Sequence, residues 1–403
     1  MSTRWIYFIL SLLLVLSVGS RSPWLILLTA LLALAVGASA VWARYCLAEV
    51  RYARRFGADR LAFGEEIDLW IEIVNAKPLP LAWLKIEDEF PAALPIRDTT
   101  LGYTGNPHRR ALMQFLSLRW YERVRRRYRL VGAKRGAYDF GPVQLASGDL
   151  FGFRTQRLEL AAPQQLLVYP RILPLAELGL TPARPFGERR AARRILTDPL
   201  RLAGARDYQS GDNPRHIHWK ATARRGALQT KVFEPSADPY LIIALNSQTR
   251  EHIYDGVLGS VFERGAMVAA SVAVAALEAG RSVGFMTNGG VSGSERRVRL
   301  PATRHSSQAT RILETLAQLT YFTQLPFETL IASETPHLPY GATVLVVTAL
   351  LTEPIASALL TLRSATHPVA VIAIGALAEI QLPPDIPLYS MNEAWEFREA
   401  ELA

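Results

Sequence analysis

Two apolar runs at the start of the chain, residues 5–20 and 24–43, are split only by Arg21, Ser22 and Pro23, and they constrain the fold more than any other feature. A helix needs about 20 apolar residues to cross the hydrocarbon of a bilayer. The second run reaches that length and the first lies near the lower limit. Trp5, Trp24, Trp42 and Tyr45 stand at the ends of the runs, where amphipathic rings favour the interface between lipid and water. A buried hairpin in a soluble core has no use for such a rim, so residues 1–45 read as a transmembrane helical hairpin.

Arg44, Arg51, Arg54, Arg55 and Arg60 follow the second run, whereas the turn between the runs carries Arg21 alone. Positive charge is retained on the cytoplasmic side of a membrane, which places everything after Ala43 in the cytoplasm. Residues 1–20 also have the layout of a signal peptide: Arg4, an apolar stretch, then the small residues around Val18, Gly19 and Ser20. In that case the second run stops transfer, and the bulk of the chain stays on the same side. The expectation is a two-pass protein of the inner (plasma) membrane with cytoplasmic domains, whether or not residues 1–20 are cleaved.

Half of the 403 residues are hydrophobic, so the part beyond the hairpin can bury a sizeable core. The net charge of +9 suits nucleic acid or an anionic membrane surface, and the hairpin selects the lipid bilayer. Cys46 is the single cysteine, so no internal disulfide forms.

Residues 46–180 read as an antiparallel β-sandwich-like domain. Within residues 66–73, Ile67, Leu69, Ile71 and Ile73 share one face of a strand while Asp68, Trp70 and Glu72 share the other. Further strands are predicted at 82–87, 111–120, 125–131, 143–145 and 165–169, separated by proline, glycine and asparagine. Arg119, Arg123, Arg125, Arg126, Arg127, Arg129, Lys134 and Arg135 load one expected hairpin with positive charge. Because no aromatic residues are regularly interleaved as a single-strand platform requires, the solvated outer face of a sheet is the preferred reading. Nucleic acid is therefore not an expected partner.

Residues 181–204 are rich in Arg, Pro and Ala and read as a linker. The segment 205–234 follows, with two Asp and two His around a Gly-Asp-Asn-Pro turn. Asp212 suits a helix N-cap, Pro214 a first turn and Gly226 a stop, which predicts a helix over 213–225 and a strand over 227–233. On such a helix His216 and His218 diverge. A metal-dependent enzyme using Asp207, Asp212, His216 and His218 is thus the alternative reading. The preferred one is a structural joint: Arg206 and Arg215 pair with Asp207 and Asp212, while Tyr208, Ile217 and Trp219 pack inward.

Arg206, Tyr208, Gly211, Asp212, Arg215, Ile217, Trp219, Thr222, Ala223 and Arg224 stand at the spacings R-x-Y-x-x-G-D-x-x-R-x-I-x-W-x-x-S/T-A-R. This pattern resembles the signature of the bacterial family called domain of unknown function 58. The likeness extends to the paired N-terminal helices, to Arg135-Gly136 and Asp149-Leu150-Phe151-Gly152 in the middle of the chain, and to an α/β end. It implies a von Willebrand type A-like C-terminal domain and a partnership with a MoxR-type AAA+ ATPase. No catalytic residue comes with it.

Residues 235–403 read independently as a doubly wound α/β domain, here type A-like by the resemblance. Apolar strands at 240–245, 282–286, 343–347 and 369–374 alternate with helical patterns at 261–279, 306–319 and 354–363. Ligands of such sheets sit beyond the carboxyl ends of the strands, which points to the loop 246–250. Type A domains that hold Mg²⁺ there use Asp-x-Ser-x-Ser. This chain keeps the two hydroxyls as Ser247 and Thr249 but has Leu245 in place of the acid. Glu353 is a more natural helix N-terminal carboxylate than a substitute ligand. No cofactor is expected beyond a degenerate Mg²⁺ site at Ser247 and Thr249.

No Gly-rich phosphate loop, Gly-x-Ser-x-Gly elbow or zinc spacing occurs in the sequence. The expected function is that of a membrane-anchored, cytoplasm-facing adaptor or scaffold rather than an enzyme, working with a MoxR-type AAA+ ATPase in assembly or maturation of other proteins. No small-molecule substrate is legible.

Overall fold

The computed structural model describes residues 3–20, 22–97, 99–150, 152, 154–180, 197–209, 212–235, 240–292, 294, 296–375, 382–384 and 386–391. The chain divides into two compact units, Met1–Tyr169 and Pro170–Ala403.

The first unit opens with helices α1 (Thr3–Ser20) and α2 (Pro23–Tyr45), which pack on each other. α2 is long and apolar enough to cross a membrane, whereas the apolar part of α1, Tyr7–Ser17, is shorter. Trp24 and Leu34 are 79% and 72% exposed, so the helices turn apolar side chains outward. The loop after Val143–Gly148 meets both: Asp149 Oδ2 accepts a 2.8 Å hydrogen bond from Ser39 of α2, and Arg154 reaches Tyr7 of α1.

The rest of this unit is strand-rich, as predicted from alternation. Glu66–Asn75 shows a strict two-residue burial period, with Leu69, Ile71 and Ile73 fully inside. It lies between Val50–Phe56 and Arg123–Val131, both antiparallel to it. A second sheet joins Thr155–Leu160, Val143–Gly148, Leu81–Pro91, Arg109–Leu118 and Gly102–Tyr103. A third small sheet pairs Gln164–Val168 with Gly136–Phe140 and, in parallel, with Arg60–Leu61. All three sheets feed one core, in which Ile71, Ile86 and Leu166 belong to the same cluster.

The arginine-rich hairpin expected from sequence is not a hairpin. Arg109–Leu118 and Arg123–Val131 lie in different sheets, and the chain crosses between them at Tyr121, whose φ is +54°. Two of the charges pair with acids across the strands, and a third meets an aromatic ring: Arg127 forks onto Asp68 at 2.7 and 2.8 Å, Arg123 meets Glu72 at 3.4 Å, and Arg125 lies 5.7 Å from the Trp70 ring. The Arg127 guanidinium holds the Asp68 carboxyl below its ordinary range. The arginines of Arg123–Val131 thus stand on a solvated outer face that carries some of its own counter-charges, while Arg135 is buried.

The second unit begins earlier than expected, because residues 170–180 belong to it: Leu173, Leu178 and Leu180 are buried, and the Leu173 N–H donates to Ser271 Oγ at 2.9 Å. The predicted linker 181–204 is also too long, since Thr197–Asp207 is a strand; residues 181–196 lie outside the described residues. That strand pairs antiparallel with Gln229–Pro235. A six-stranded sheet follows in the order Val298–Thr303, Ser282–Thr287, Tyr240–Leu245, Thr343–Thr348, Val369–Ala373, Leu388–Ser390. Its first pair is antiparallel and the other four are parallel. Gly259–Glu278 is also long and apolar enough to span a membrane, but it is mostly buried against this sheet and is a core helix.

Candidate functional site

The signature segment folds into a small module between the paired strands Thr197–Asp207 and Gln229–Pro235. The predicted single helix over 213–225 is two pieces, a 3₁₀ turn at Pro214–His216 and helix α3 at Trp219–Arg225. Ile217 separates them in extended conformation and bridges to Thr230. Asp212 is therefore not the helix cap. Asn213 caps the 3₁₀ turn by accepting from Arg215 N–H, and His218 Nδ1 caps α3 by accepting from Ala221 N–H at 3.1 Å. Gly226 does end the helix, with φ +71° and its N–H bonded to Thr222 O.

Asp212 instead ties the module together. Its carboxylate accepts from Arg206 at 2.6 Å, from the Gln209 N–H at 3.0 Å and from Thr230 Oγ1 at 3.2 Å. Tyr208 adds a hydrogen bond from its hydroxyl to Asp212 O. The Arg206 bond, then the Gln209 amide, hold the carboxyl below its ordinary range. With its folded pKa below the unfolded value, this group contributes stability at higher pH that is lost as pH falls through the folded pKa. The pairing expected of Arg206 and Arg215 is thus half right: Arg206 meets Asp212, while Asp207 accepts from the Gln229 amide at 2.5 Å and lies 3.7 Å from Arg225.

Trp219 was expected to pack inward, and this is overturned: it stands 70% exposed in the first turn of α3. The helix has seven residues, carries Lys220, Arg224 and Arg225, and buries no residue of its own. Tyr208 and Ile217 are half-buried, while Arg215 and Arg224 are exposed and Gly211 lies outside the described residues. The metal-enzyme alternative gains no support from this geometry. Asp207 and Asp212 are engaged as described, His218 is a cap, His216 is exposed, and among the described residues no three His, Cys, Asp or Glu gather as a metal site.

At the carboxyl edge of the six-stranded sheet, the loop after Tyr240–Leu245 forms a buried network of neutral groups. Ser247 donates its N–H and hydroxyl to Asn288 Oδ1 at 2.8 and 3.1 Å, and its hydroxyl also meets Thr323. Asn288 donates to Asn246 Oδ1, and Asn246 to Thr348 Oγ1, both at 3.1 Å. Thr249 Oγ1 accepts the Leu258 N–H at 2.6 Å. Leu245 is fully buried, close enough to Gly265 that a Cβ there would lie 3.1 Å from its side chain. Glu353 is exposed in the first turn of Glu353–Ser364. In the sequence Asn288, Thr323 and Thr348 carry only a weak signal, a polar residue at or just after the end of a strand.

Millimolar Mg²⁺ is accordingly expected to leave the melting temperature of the protein nearly unchanged. Ligand stabilisation follows RT ln(1 + [L]/Kd), and both hydroxyls already have protein partners, none of them a carboxylate among the described residues. A rise seen by differential scanning fluorimetry and abolished by Ser247→Ala and Thr249→Ala would contradict this.

Around this edge Tyr254, Leu258, Tyr321 and Phe322 are 100%, 41%, 42% and 63% exposed. Tyr321 packs edge-on against the buried Phe262 and donates its hydroxyl to Glu263, whereas Tyr254, Phe322 and Trp219 leave most of their rings in solvent.

Residues 204–394 match the family described as "Protein of unknown function DUF58". An "Uncharacterized protein YeaD" of Bacillus subtilis (strain 168) is 25% identical over 256 residues, covering 61% of this chain; the chain spans 58% of that relative's length. Among solved structures, the CARDB domain of a Pyrococcus furiosus protein in complex with di-metal ions matches 30% of this chain and 87% of its own, at 10% identity and a TM-score of 0.19. A cohesin module from a Clostridium perfringens family 33 glycoside hydrolase matches 30% of this chain and 96% of its own, at 12% identity and a TM-score of 0.21. Scores of that size carry no argument about this chain.

Proposed function

Since the chain belongs, through residues 204–394, to the DUF58 family, we propose that it is a membrane-anchored adaptor or scaffold with its domains in the cytoplasm. Its partner in this reading is a MoxR-type AAA+ ATPase, and the α/β unit is a type A-like domain used for protein binding. The observation that carries the reading is the state of the signature module: Asp212 is spent on internal bonds while Trp219 is held out to solvent. Residues that serve chemistry need reachable acids, bases or metals, whereas a rigid module with an exposed aromatic is suited to contact. The module therefore acts first as a docking element, and any joint role is secondary.

Anchoring rests on α2 and on the outward apolar faces of α1 and α2. Orientation rests on the arginines of the last turn of α2 and beyond it. Four of the five, Arg44, Arg51, Arg55 and Arg60, fit a cytoplasmic surface directly, while Arg54 is buried in the folded domain and can act only during insertion. A reporter active only outside the cytoplasm should be silent when fused after Arg60 or at the C-terminus; strong activity at either point would overturn the orientation. Affinity capture from solubilised membranes should retrieve an AAA+ ATPase. Recovery of the intact protein without one would remove the proposed partnership.

A further inference from the structure

Where α2 ends, its last two turns and the adjoining loops of the strand-rich domain flank an open cleft of about 640 Å³. Val41, Trp42 and Tyr45 form one wall and Leu79 part of the other, so the lining is mainly apolar. Two charged residues complete it, Lys77 and Glu49. Lys77 is only 6% exposed, and its Nζ donates to the Ala48 carbonyl at 2.7 Å. An ammonium has three donors, and the bond to Ala48 uses one. Withdrawal from water lowers the Lys77 pKa, against smaller opposing contributions from Cys46 and Glu49, and Lys77 and Glu49 line the same cleft.

A cation this far from water beside an apolar cleft is costly unless it has an anionic partner. On the reading that α2 crosses the membrane, the cleft opens where hydrocarbon gives way to headgroups, and aromatic residues such as Trp42 and Tyr45 favour that depth. We infer that the cleft binds one phospholipid whose head carries both a phosphate and a primary ammonium, as in phosphatidylethanolamine. The phosphate meets Lys77, the ammonium meets Glu49, and the start of an acyl chain lies along Val41, Trp42 and Leu79. A head bearing only negative charge would leave Glu49 facing an anion. A quaternary head would have no N–H to offer its carboxylate.

This inference rests on the anchoring proposed above, and the test separates the two. The full-length protein is first fractionated without detergent; recovery in the soluble fraction would overturn both the anchoring and the lipid site. The membrane-bound protein is then extracted in detergent, exposed to equal amounts of phosphatidylethanolamine, phosphatidylglycerol and phosphatidylcholine, and examined by native mass spectrometry. Phosphatidylethanolamine should be retained about tenfold better than the other two, the scale of one charge-assisted hydrogen bond. Lys77→Gln and Glu49→Gln should each erase the preference. Leu79→Trp, which fills the cleft, should remove the bound lipid while leaving the lipid-free melting temperature close to wild type. Equal retention of the three lipids, a preference for phosphatidylglycerol, competition by inorganic phosphate alone, or retention unchanged in Leu79→Trp would overturn the lipid site and leave the anchoring intact.

Discussion

Replacing Asp88 with alanine is expected to destabilise the strand-rich domain by about 3–5 kcal/mol, the cost of leaving one member of a buried ion pair alone. Asp88 is fully buried on Leu81–Pro91, and Arg54, on Val50–Phe56, is 4% exposed. The guanidinium grips the carboxylate at 2.5 and 3.0 Å, and the Tyr52 hydroxyl donates to the same carboxylate at 2.5 Å. Burial pushes the Tyr52 phenol well above its ordinary range, so it remains a donor. Burial also pushes the Asp88 carboxyl upward, against the pull of Arg54 and Tyr52.

The rings of Phe90 and Phe140 lie 5.6 and 5.4 Å from the Arg54 guanidinium, and Arg54 Nη1 is buried with no hydrogen-bond partner among the described residues. Arg54 is thus held away from bulk solvent among aromatic rings and would be left a buried charge without a carboxylate once Asp88 is gone. Removing both charges, as in Arg54→Met with Asp88→Leu, should recover most of the loss, because an apolar pair of similar volume avoids the desolvation cost altogether. Denaturant titration of the purified protein reads both outcomes. A loss below about 1 kcal/mol for Asp88→Ala, the range of an exposed pair, would show that the pair is solvated.

The second large effect is on binding. Trp219→Ala should leave stability within about 0.5 kcal/mol of wild type, as expected for a surface substitution. It should also weaken ATPase capture about 30-fold, equivalent to the ~2 kcal/mol of an aromatic hot spot. The two readouts must separate, because Trp219 is exposed on a helix whose fold rests on His218, Gly226 and the Asp212 bonds rather than on the indole. If Trp219→Ala lowered stability by several kcal/mol, the indole would be a packing residue and the joint would be its principal role.

Periodic features were legible in the sequence. The alternation of Ile67, Leu69, Ile71 and Ile73 gave the strand Glu66–Asn75 and its buried face, because a half-buried strand repeats every two residues. The strand Tyr240–Leu245 was found to the residue, since a fully buried parallel strand reads as one apolar run. Connections were less legible. Nothing local tells Arg109–Leu118 to leave one sheet and Arg123–Val131 to enter another, because that choice depends on partners distant in the chain.

The signature illustrates a different limit. Asp212 followed by Asn213 and Pro214 satisfies the rules for a helix start, but the extended Ile217 pairs with Thr230 and breaks the helix before it forms. Residue type alone sends Trp219 to the interior. Its neighbours Lys220, Arg224 and Arg225 on a seven-residue helix, with too few apolar residues to define a buried stripe, were the signal that it faces outward. The amide network at Ser247 was illegible for a third reason: Asn288, Thr323 and Thr348 join it from strand ends 41 to 102 residues away along the chain.

The most direct test of a docking role is a photoreactive amino acid placed at position 219 and activated in intact membranes, with the cross-linked species identified by mass spectrometry. The expected result is a cross-link to an AAA+ ATPase that disappears when Asp212→Ala disorders the module. Cross-links confined to the strand-rich domain of the same chain would contradict it and make the signature a structural joint.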